Sequence, residues 1–392
     1  MHMTIEGTTA ARAPRIRLGM VGGGEGAFIG AVHRIAARLD DQFELVAGCF
    51  SATAEKSRRS GAALGLDPGR VYDDFARMAS REARRKDGIQ AVAIVTPNHM
   101  HFPAAKEFLK RGIHVICDKP MTASLSDAKK LCDMAKASSA LFILTHNYTG
   151  YPMIRQARAM VAEGVLGPIR LVQVEYAQDW LTQPLEAEGQ KQAAWRTDPK
   201  QSGAGGAIGD IGTHAFNLAS FVTGMTLEAL CADMQSFVPG RRLDDNAHVL
   251  LRFAGGARGM LWASQVAPGN MNALRLRAYG EKGGLEWAQE EPNTLWFSPY
   301  GEPTRRISRA GPGADAAAAR VSRIPSGHPE GYLEGFANLY TEAAAAIRSH
   351  AAKEPTPEGV TYPGVEDGLT GVAFVEACVR SSTKGGTWVK FG

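Results

Sequence analysis

The sequence predicts an α/β protein in two parts: a doubly wound parallel sheet with helices on both faces, then an α+β region on a larger sheet. Three observations carry this expectation. Short apolar runs alternate with helical stretches from residue 15 to residue 145. The first run ends in the glycine-rich turn Gly22-Gly23-Gly24-Glu25-Gly26. Beyond His146 the strand candidates lengthen, and little helix separates them.

The elements follow in order. Residues 16–21 are short and apolar, as a buried strand requires, and the glycines break the run before a helix over 31–39. A second strand over 43–50 leads to a helix over 54–64, and a polar helix over 75–86 precedes the buried run at 91–96. A helix over 102–111, a strand at 115–117, a helix over 126–138 and a strand at 141–145 complete the βαβ rhythm. Right-handed crossovers place every strand-to-helix loop of such a sheet on one edge. The second part opens with a helix over 155–163, closed by Gly164 and Gly167, and an alternating strand over 169–176. After an irregular stretch and an apolar helix through Phe216, Leu218 and Phe221 come strands at 227–237, 248–253, 259–266, 274–280 and 283–289. Such a run indicates an antiparallel or mixed sheet with one face covered. The glycine- and alanine-rich segment 311–319 reads as a mobile loop, and helices are expected over 329–350 and 364–381. The chain thus divides into a mobile leader (1–14), a first domain (15–147) and a second (148–392).

Composition excludes several classes. With 392 residues, 44% hydrophobic, 21% charged and a net charge of +4 spread without a long block, the chain reads as an ordinary globular protein. The basic run Arg81, Arg84, Arg85 and Lys86 is interrupted by Glu82 and reads as a solvated helix face; no nucleic-acid partner is expected. Five dispersed cysteines with no CxxC pair argue against a disulfide framework and a zinc site, so no metal is expected. No apolar run suits a secretory signal or a bilayer span, which predicts a cytoplasmic protein with no membrane partner.

Glycines after a first βαβ strand let the backbone turn sharply and approach a pyrophosphate at a helix N-terminus. Gly22, Gly24, Glu25, Gly26, Ala27, Phe28 and Ile29 are therefore candidate cofactor contacts. The register has two readings: Gly22, Gly24 and Ala27 satisfy G-x-G-x-x-A, while Gly30 serves equally as the last glycine after a three-residue insertion. The second strand ends in Gly48-Cys49-Phe50-Ser51, without the acid that commonly binds the ribose of NAD. Ser51 can still bond ribose, and Lys56, Arg58 and Arg59 are available to a 2′-phosphate. NAD is the expected cofactor, with NADP left open. Thr96, Pro97, Asn98 and His101 follow the third strand, at the same sheet edge, and Asp118 and Lys119 follow the fourth. Pro120 keeps Lys119 out of the helical region.

In the second part, a glycine-rich run from Gly203 to Gly212 carries Asp210 and leads to His214. Spaced four apart at a helix start, the two project from one face, a carboxylate beside an imidazole suited to acid–base work. Structural alternatives are a cap for Asp210 and a packed core site for His214.

As an ordered set, the glycine turn, Thr96-Pro97-Asn98 with His101, Asp118-Lys119-Pro120, and Asp210 with His214 resemble the Gfo/Idh/MocA oxidoreductase family from residue 15 to the C-terminus. The resemblance implies an N-terminal Rossmann dinucleotide-binding domain and a C-terminal α+β domain with a large, mainly antiparallel open sheet that joins homo-oligomers, dimers or tetramers. It also implies NAD(P)-dependent oxidation of a ring hydroxyl, with Lys119, Asp210 and His214 as catalytic residues. Two departures are Asp118 in place of the usual glutamate and the longer glycine loop. Within the family the sequence is most similar to inositol dehydrogenases, a subgroup with a scyllo-inositol enzyme that also acts on L-glucose. Glycoside 3-dehydrogenases, aldose dehydrogenases and a non-catalytic NAD-binding sensor are the alternatives. Candidate groups for the cyclic polyol or sugar are Lys119, Asn147, Tyr151, Asp179, Arg196, Asp210, His214 and His328.

Overall fold

The computed structural model describes residues 13–392; most of the expected leader, residues 1–12, lies outside the described residues. Sheet A contains β1 (Ile16–Gly22), β2 (Phe43–Cys49), β3 (Ala91–Val95), β4 (His114–Cys117) and β5 (Phe142–Leu144). They run parallel in the order β2-β1-β3-β4-β5. The connecting helices are α1 (Phe28–Leu39), α2 (Ala54–Ala63), α3 (Phe75–Glu82), α4 (His101–Leu109) and α5 (Leu125–Ala137). Helix α1 starts three residues earlier than the sequence predicts, so Phe28 to Gly30 leave the loop and form its first turn.

After α6 (Pro152–Ala162), β6 (Ile169–Ala177) enters sheet B, and α7 (Lys191–Arg196), α8 (Pro199–Ser202) and α9 (Thr213–Thr223) follow. The sheet continues with β7 (Leu227–Gln235), β8 (Asn246–Phe253), β9 (Arg258–Ser264), β10 (Ala273–Gly280), β11 (Gly283–Ala288), β12 (Thr294–Pro299) and β13 (Arg305–Ser308). It closes at the C-terminus with β14 (Val389–Lys390), in the order β13-β12-β11-β10-β6-β9-β8-β7-β14. All its neighbours pair antiparallel except β6 with β9. Strands β12, β13 and β14, which the sequence reading passed over, extend the sheet at both edges.

Period-two alternation gives sheet B two unlike faces. Val172, Val174, Leu261, Leu274 and Leu276 are buried in one core with Ile211, Phe216 and Leu218. Leu171, Leu250, Met260, Tyr279 and Trp296 point to the other face and are exposed.

Two segments depart from expectation. Residues 311–319 do not form a loop throughout: α10 (Ala316–Ala319) is a short helix, capped by Asp315 Oδ1 accepting from Ala318 N–H at 2.9 Å, with Ala318 buried against α6. The long α11 (Tyr332–Ala352) packs on sheet A, putting Phe336, Tyr340 and Ile347 in one core with Leu18 and Met20. Burying each such side chain contributes roughly 1.5–3 kcal/mol, so residues far along the chain stabilise the N-terminal sheet. The last helix, α12 (Val365–Ser382), bridges α5 and β7.

Candidate functional site

The strand-to-helix loops of sheet A face one edge of sheet B across a cleft of about 1090 Å³. On the sheet A side the wall is largely main chain. Gly22 and Gly23 adopt positive φ (82° and 70°), and a Cβ on Gly22 would lie 2.8 Å from the Val95 carbonyl oxygen. A Cβ on Gly24 would meet the Phe50 carbonyl at 2.7 Å, and one on Gly30 would meet Gly23 Cα at 2.3 Å. Gly30 thus takes the close-packing role between loop and helix, which decides the register in favour of the longer loop. At these glycines the cradle has no room for a side chain, and beside it the buried Thr96 Oγ1 has no partner among the described residues. These features fit a dinucleotide pyrophosphate held at a helix N-terminus.

Of the expected cofactor residues, Gly22, Gly24, Glu25, Ala27, Phe28, Ile29, Ser51, Thr96, Pro97, Asn98, Asp118 and Lys119 line the cleft. Asn98 Nδ2 donates to the Ser202 carbonyl at 2.8 Å and ties the two halves together. Two expectations are corrected. Gly26 lies outside the lining and supplies a positive-φ turn (75°). His101 is fully buried, with its ring nitrogens 2.7 Å from the Pro120 carbonyl oxygen and 2.8 Å from that of Thr96; it joins the two loops from behind.

Lys119 leaves β4 through a cis bond to Pro120. Its Nζ donates to the Asp210 main-chain carbonyl at 2.6 Å and to Asp210 Oδ1 at 2.8 Å. Asp210 Oδ2 accepts from Gln265 Nε2 at 2.9 Å and Arg196 Nε at 3.2 Å. Burial alone would raise the Asp210 carboxyl, but Lys119 and Arg196 outweigh it and hold the group ionised, well below the ordinary range. Asp210 lies in a single π-helical turn, Ile208–Gly212, rather than in the first turn of α9; such turns are frequent at functional sites. Both oxygens of the buried Asp244 hold this turn, accepting from Gly206 N–H (2.6 Å) and Ile208 N–H (2.8 Å).

The hydrogen bonds to the Asp210 carboxylate come from Lys119, Arg196 and Gln265. His214 instead lies edge-on to Tyr148 (ring centroids 4.9 Å apart) and His146 (5.4 Å). Burial first, then Lys119 and His146, push its imidazole well below the ordinary histidine value, so it is neutral at neutral pH. His146 is pushed down to about 3 by burial and Lys119.

Asn147 and Arg196 line the cleft, Asn147 with a buried Nδ2 that has no partner among the described residues. Arg196 is steadied by Gln192 Oε1 at 2.6 Å and by the Trp195 ring, 4.3 Å from its guanidinium carbon. Three expected substrate residues lie elsewhere. Tyr151 is buried behind Tyr148, packed against Trp287. Asp179 accepts from Gly269 N–H at 3.3 Å and closes a loop outside the lining. His328 is exposed, and its carbonyl accepts from Arg309.

A polar network on this wall escaped the sequence reading. Tyr148 and Tyr176 share a 2.5 Å hydrogen bond, and Tyr176 OH donates to Asn272 Oδ1 at 2.8 Å. Gln178 Nε2 donates to the same oxygen at 2.7 Å, and Gln265 Nε2 lies 3.4 Å from Gln178 Oε1 while bonding Asp210. The overlooked signal is a polar residue just outside each strand: Gln178 after β6, Gln265 after β9, Asn272 before β10 and Gln289 after β11. All four meet at one edge of sheet B.

A glycine cradle on a parallel sheet, facing a lysine–carboxylate pair and a neutral histidine, defines a dinucleotide-dependent oxidoreductase. Residues 16–146 match the oxidoreductase family with an NAD-binding Rossmann fold, and residues 154–286 match the GFO/IDH/MocA C-terminal domain. The uncharacterized oxidoreductase YfiI of Bacillus subtilis is 36% identical over 383 residues, covering 96% of this chain and 97% of its own. The chain belongs to the Gfo/Idh/MocA family. An oxidoreductase from Sinorhizobium meliloti is 62% identical with TM-score 0.88 over 96% of this chain and 100% of its own. An inositol dehydrogenase homologue from Azotobacter vinelandii, solved with NAD+, is 40% identical with TM-score 0.93, covering 97% and 98% of the two chains. The homologue is also solved with NADH and myo-inositol (39%, TM-score 0.91, the same coverage). The present protein is an NAD-dependent dehydrogenase of the sugar and polyol type, acting on CH–OH groups.

Proposed function

We propose that the protein oxidises a ring hydroxyl of a cyclic polyol or sugar, scyllo-inositol foremost, giving the ketone, and L-glucose as a second substrate, giving the lactone. The observation that carries the reading is the Lys119–Asp210 clasp beside a neutral His214 in a wall of hydroxyl and amide groups. Bound NAD supplies the hydride acceptor. The chain's own residues handle the proton and the charge: His214, neutral at working pH, takes the hydroxyl proton as general base. Lys119 keeps one N–H after its two bonds to Asp210 and donates it to the oxygen as negative charge develops there. Asp210 fixes that ammonium, and Arg196 and Asn147 donate to neighbouring hydroxyls. The residues lining the glycine cradle, with Ser51, Thr96 and Asn98, hold the cofactor.

The test is a panel of inositols, aldoses and glycosides with NAD and NADP, read by absorbance of the reduced cofactor. Turnover of scyllo-inositol or L-glucose above the rest supports the reading. Preference for a glycoside, which the same residues would also serve, would overturn the substrate, and no turnover at all would favour a sensor.

The same reading takes 15–147 as the cofactor domain and 148–392 as the substrate and oligomerisation domain, and places the protein in the cytoplasm, in keeping with five free cysteines. Among the described residues no helix is long and apolar enough to cross a membrane. A homo-oligomer through the outer face of sheet B would cover Leu171 (50% exposed), Leu250 (52%) and Met260 (43%). Light scattering on Leu250→Glu, compared with the unaltered protein, tests it.

A further inference from the structure

The end of β2 lacks a ribose-binding acid, yet the structure brings one there from another segment. Val71 forms a parallel bridge with Gly48, and Tyr72 N–H donates to the Gly48 carbonyl at 2.8 Å. Ser57 locks the two chains together: its Oγ donates to the Tyr72 carbonyl at 2.6 Å and accepts from Phe50 N–H at 3.0 Å. Two residues beyond the bridge the parallel chains have reached Phe50 and Asp73. Asp73 therefore comes level with the Phe50–Ser51 turn, and all three line the cleft. The buried thiol of Cys49, the last residue of β2, registers this proximity: burial, then Asp74 and Asp73, push it up to about 12.

The two aspartates have different work. Asp74 Oδ1 accepts from Arg77 N–H at 2.6 Å and caps α3. Asp73 is half exposed; among the described residues its carboxylate faces the Arg77 guanidinium at 3.5 Å, and it is free to turn toward a ligand. Of the two arginines of α2, Arg59 is matched by carboxylates, bonding Glu25 at 2.8 Å and Glu55 at 3.4 Å.

We propose that Asp73 is the residue that selects NAD over NADP, its carboxylate bonding the adenosine ribose hydroxyls beside Ser51 and repelling a 2′-phosphate. It replaces in space the acid that the β2 end lacks in sequence. The proposal deepens the NAD assignment and rests on it. Removing the carboxylate also releases Arg77, which adds a cation for the phosphate.

Calorimetric titration of the full chain with NADH and NADPH tests this apart from turnover, using the unaltered protein and the variants Asp73→Ser, Asp73→Asn and Lys56→Ala. The unaltered protein should favour NADH by at least about tenfold, and Asp73→Ser should shrink that ratio by about ten- to a hundredfold, the scale of a charge-assisted hydrogen bond. Asp73→Asn, which keeps a ribose partner without the charge, should gain NADPH affinity while losing little for NADH. An Asp73→Ser protein with the original ratio and intact NADH binding overturns the role of Asp73 alone. An unaltered protein that favours NADPH and loses that preference in Lys56→Ala also overturns it, making Lys56 the determinant. Failure to bind either nucleotide would overturn the cofactor reading itself.

Discussion

On the sheet A side, the cleft is formed largely by main-chain groups, with Gly22, Gly23, Gly24 and Gly30 packed so closely that a Cβ at these positions would collide with backbone or neighbouring side chains. On the sheet B side it is formed by side chains, and its central contact joins Lys119 to Asp210 across 91 positions of sequence. The difference is one of information. A backbone cradle needs glycines at fixed local spacing, whereas a side-chain wall needs only that strand ends meet in space.

Four substitutions would break or sharpen this contrast. The largest effect is expected from His214→Ala, which should lower kcat by about a hundred- to ten-thousandfold while calorimetry finds NADH affinity unchanged. Loss of NADH binding would mean that the two walls are not separable.

On the cofactor wall the reverse split is expected. Gly30→Ala places a Cβ 2.3 Å from Gly23 Cα, and relieving that contact should cost about 1–3 kcal/mol of stability and weaken NADH roughly tenfold or more, by about 1.4 kcal/mol. An unaltered melting temperature and NADH affinity would refute the close-packing role.

Acid should act through the buried histidines, those of the substrate wall among them. Buried His146 and His214 have lowered folded-state pKa values, His146 to about 3, so the unfolded chain binds protons that the folded chain refuses. Stability is then undiminished above about pH 6.5 and falls as pH drops below it, on the order of 2 kcal/mol for His146 by pH 5. Denaturant melts of His146→Gln across pH 5–8 should show a shallower slope than the unaltered protein; an equal slope rejects the assignment. For the same reason the activity limb of the base lies on the acid side of 6.5, with a level rate across neutral pH.

The smallest effect is expected from Asn272→Ala. It removes the acceptor shared by Tyr176 and Gln178, and should raise KM for the polyol several-fold, about 1 kcal/mol, with little change in NADH affinity. A change confined to kcat would place Asn272 nearer the chemistry than the network suggests.

How much was legible follows the same divide. Strand and helix periodicity located the five strands of sheet A, and Asp118-Lys119-Pro120 was readable because a strand end and its loop are contiguous. His101 was misplaced because its motif position says nothing of which way the ring turns; in the fold both its nitrogens face carbonyls. Tyr148 and Tyr151, three residues apart just before α6, look alike in sequence, yet of the two Tyr148 alone lines the cleft. Gln178, Gln265 and Asn272 were invisible because an isolated amide at a strand end has no local signature.

By itself the sequence determined the order of elements, the glycine cradle and the ordered residues that mark the family, since each depends on spacing within a few residues. Only the tertiary structure decided that α11 covers sheet A, that Lys119 is held by Asp210, and that Asp73 stands beside Ser51. These depend on which distant segments pack together, and packing is settled by burial and shape over the whole chain rather than by any local pattern.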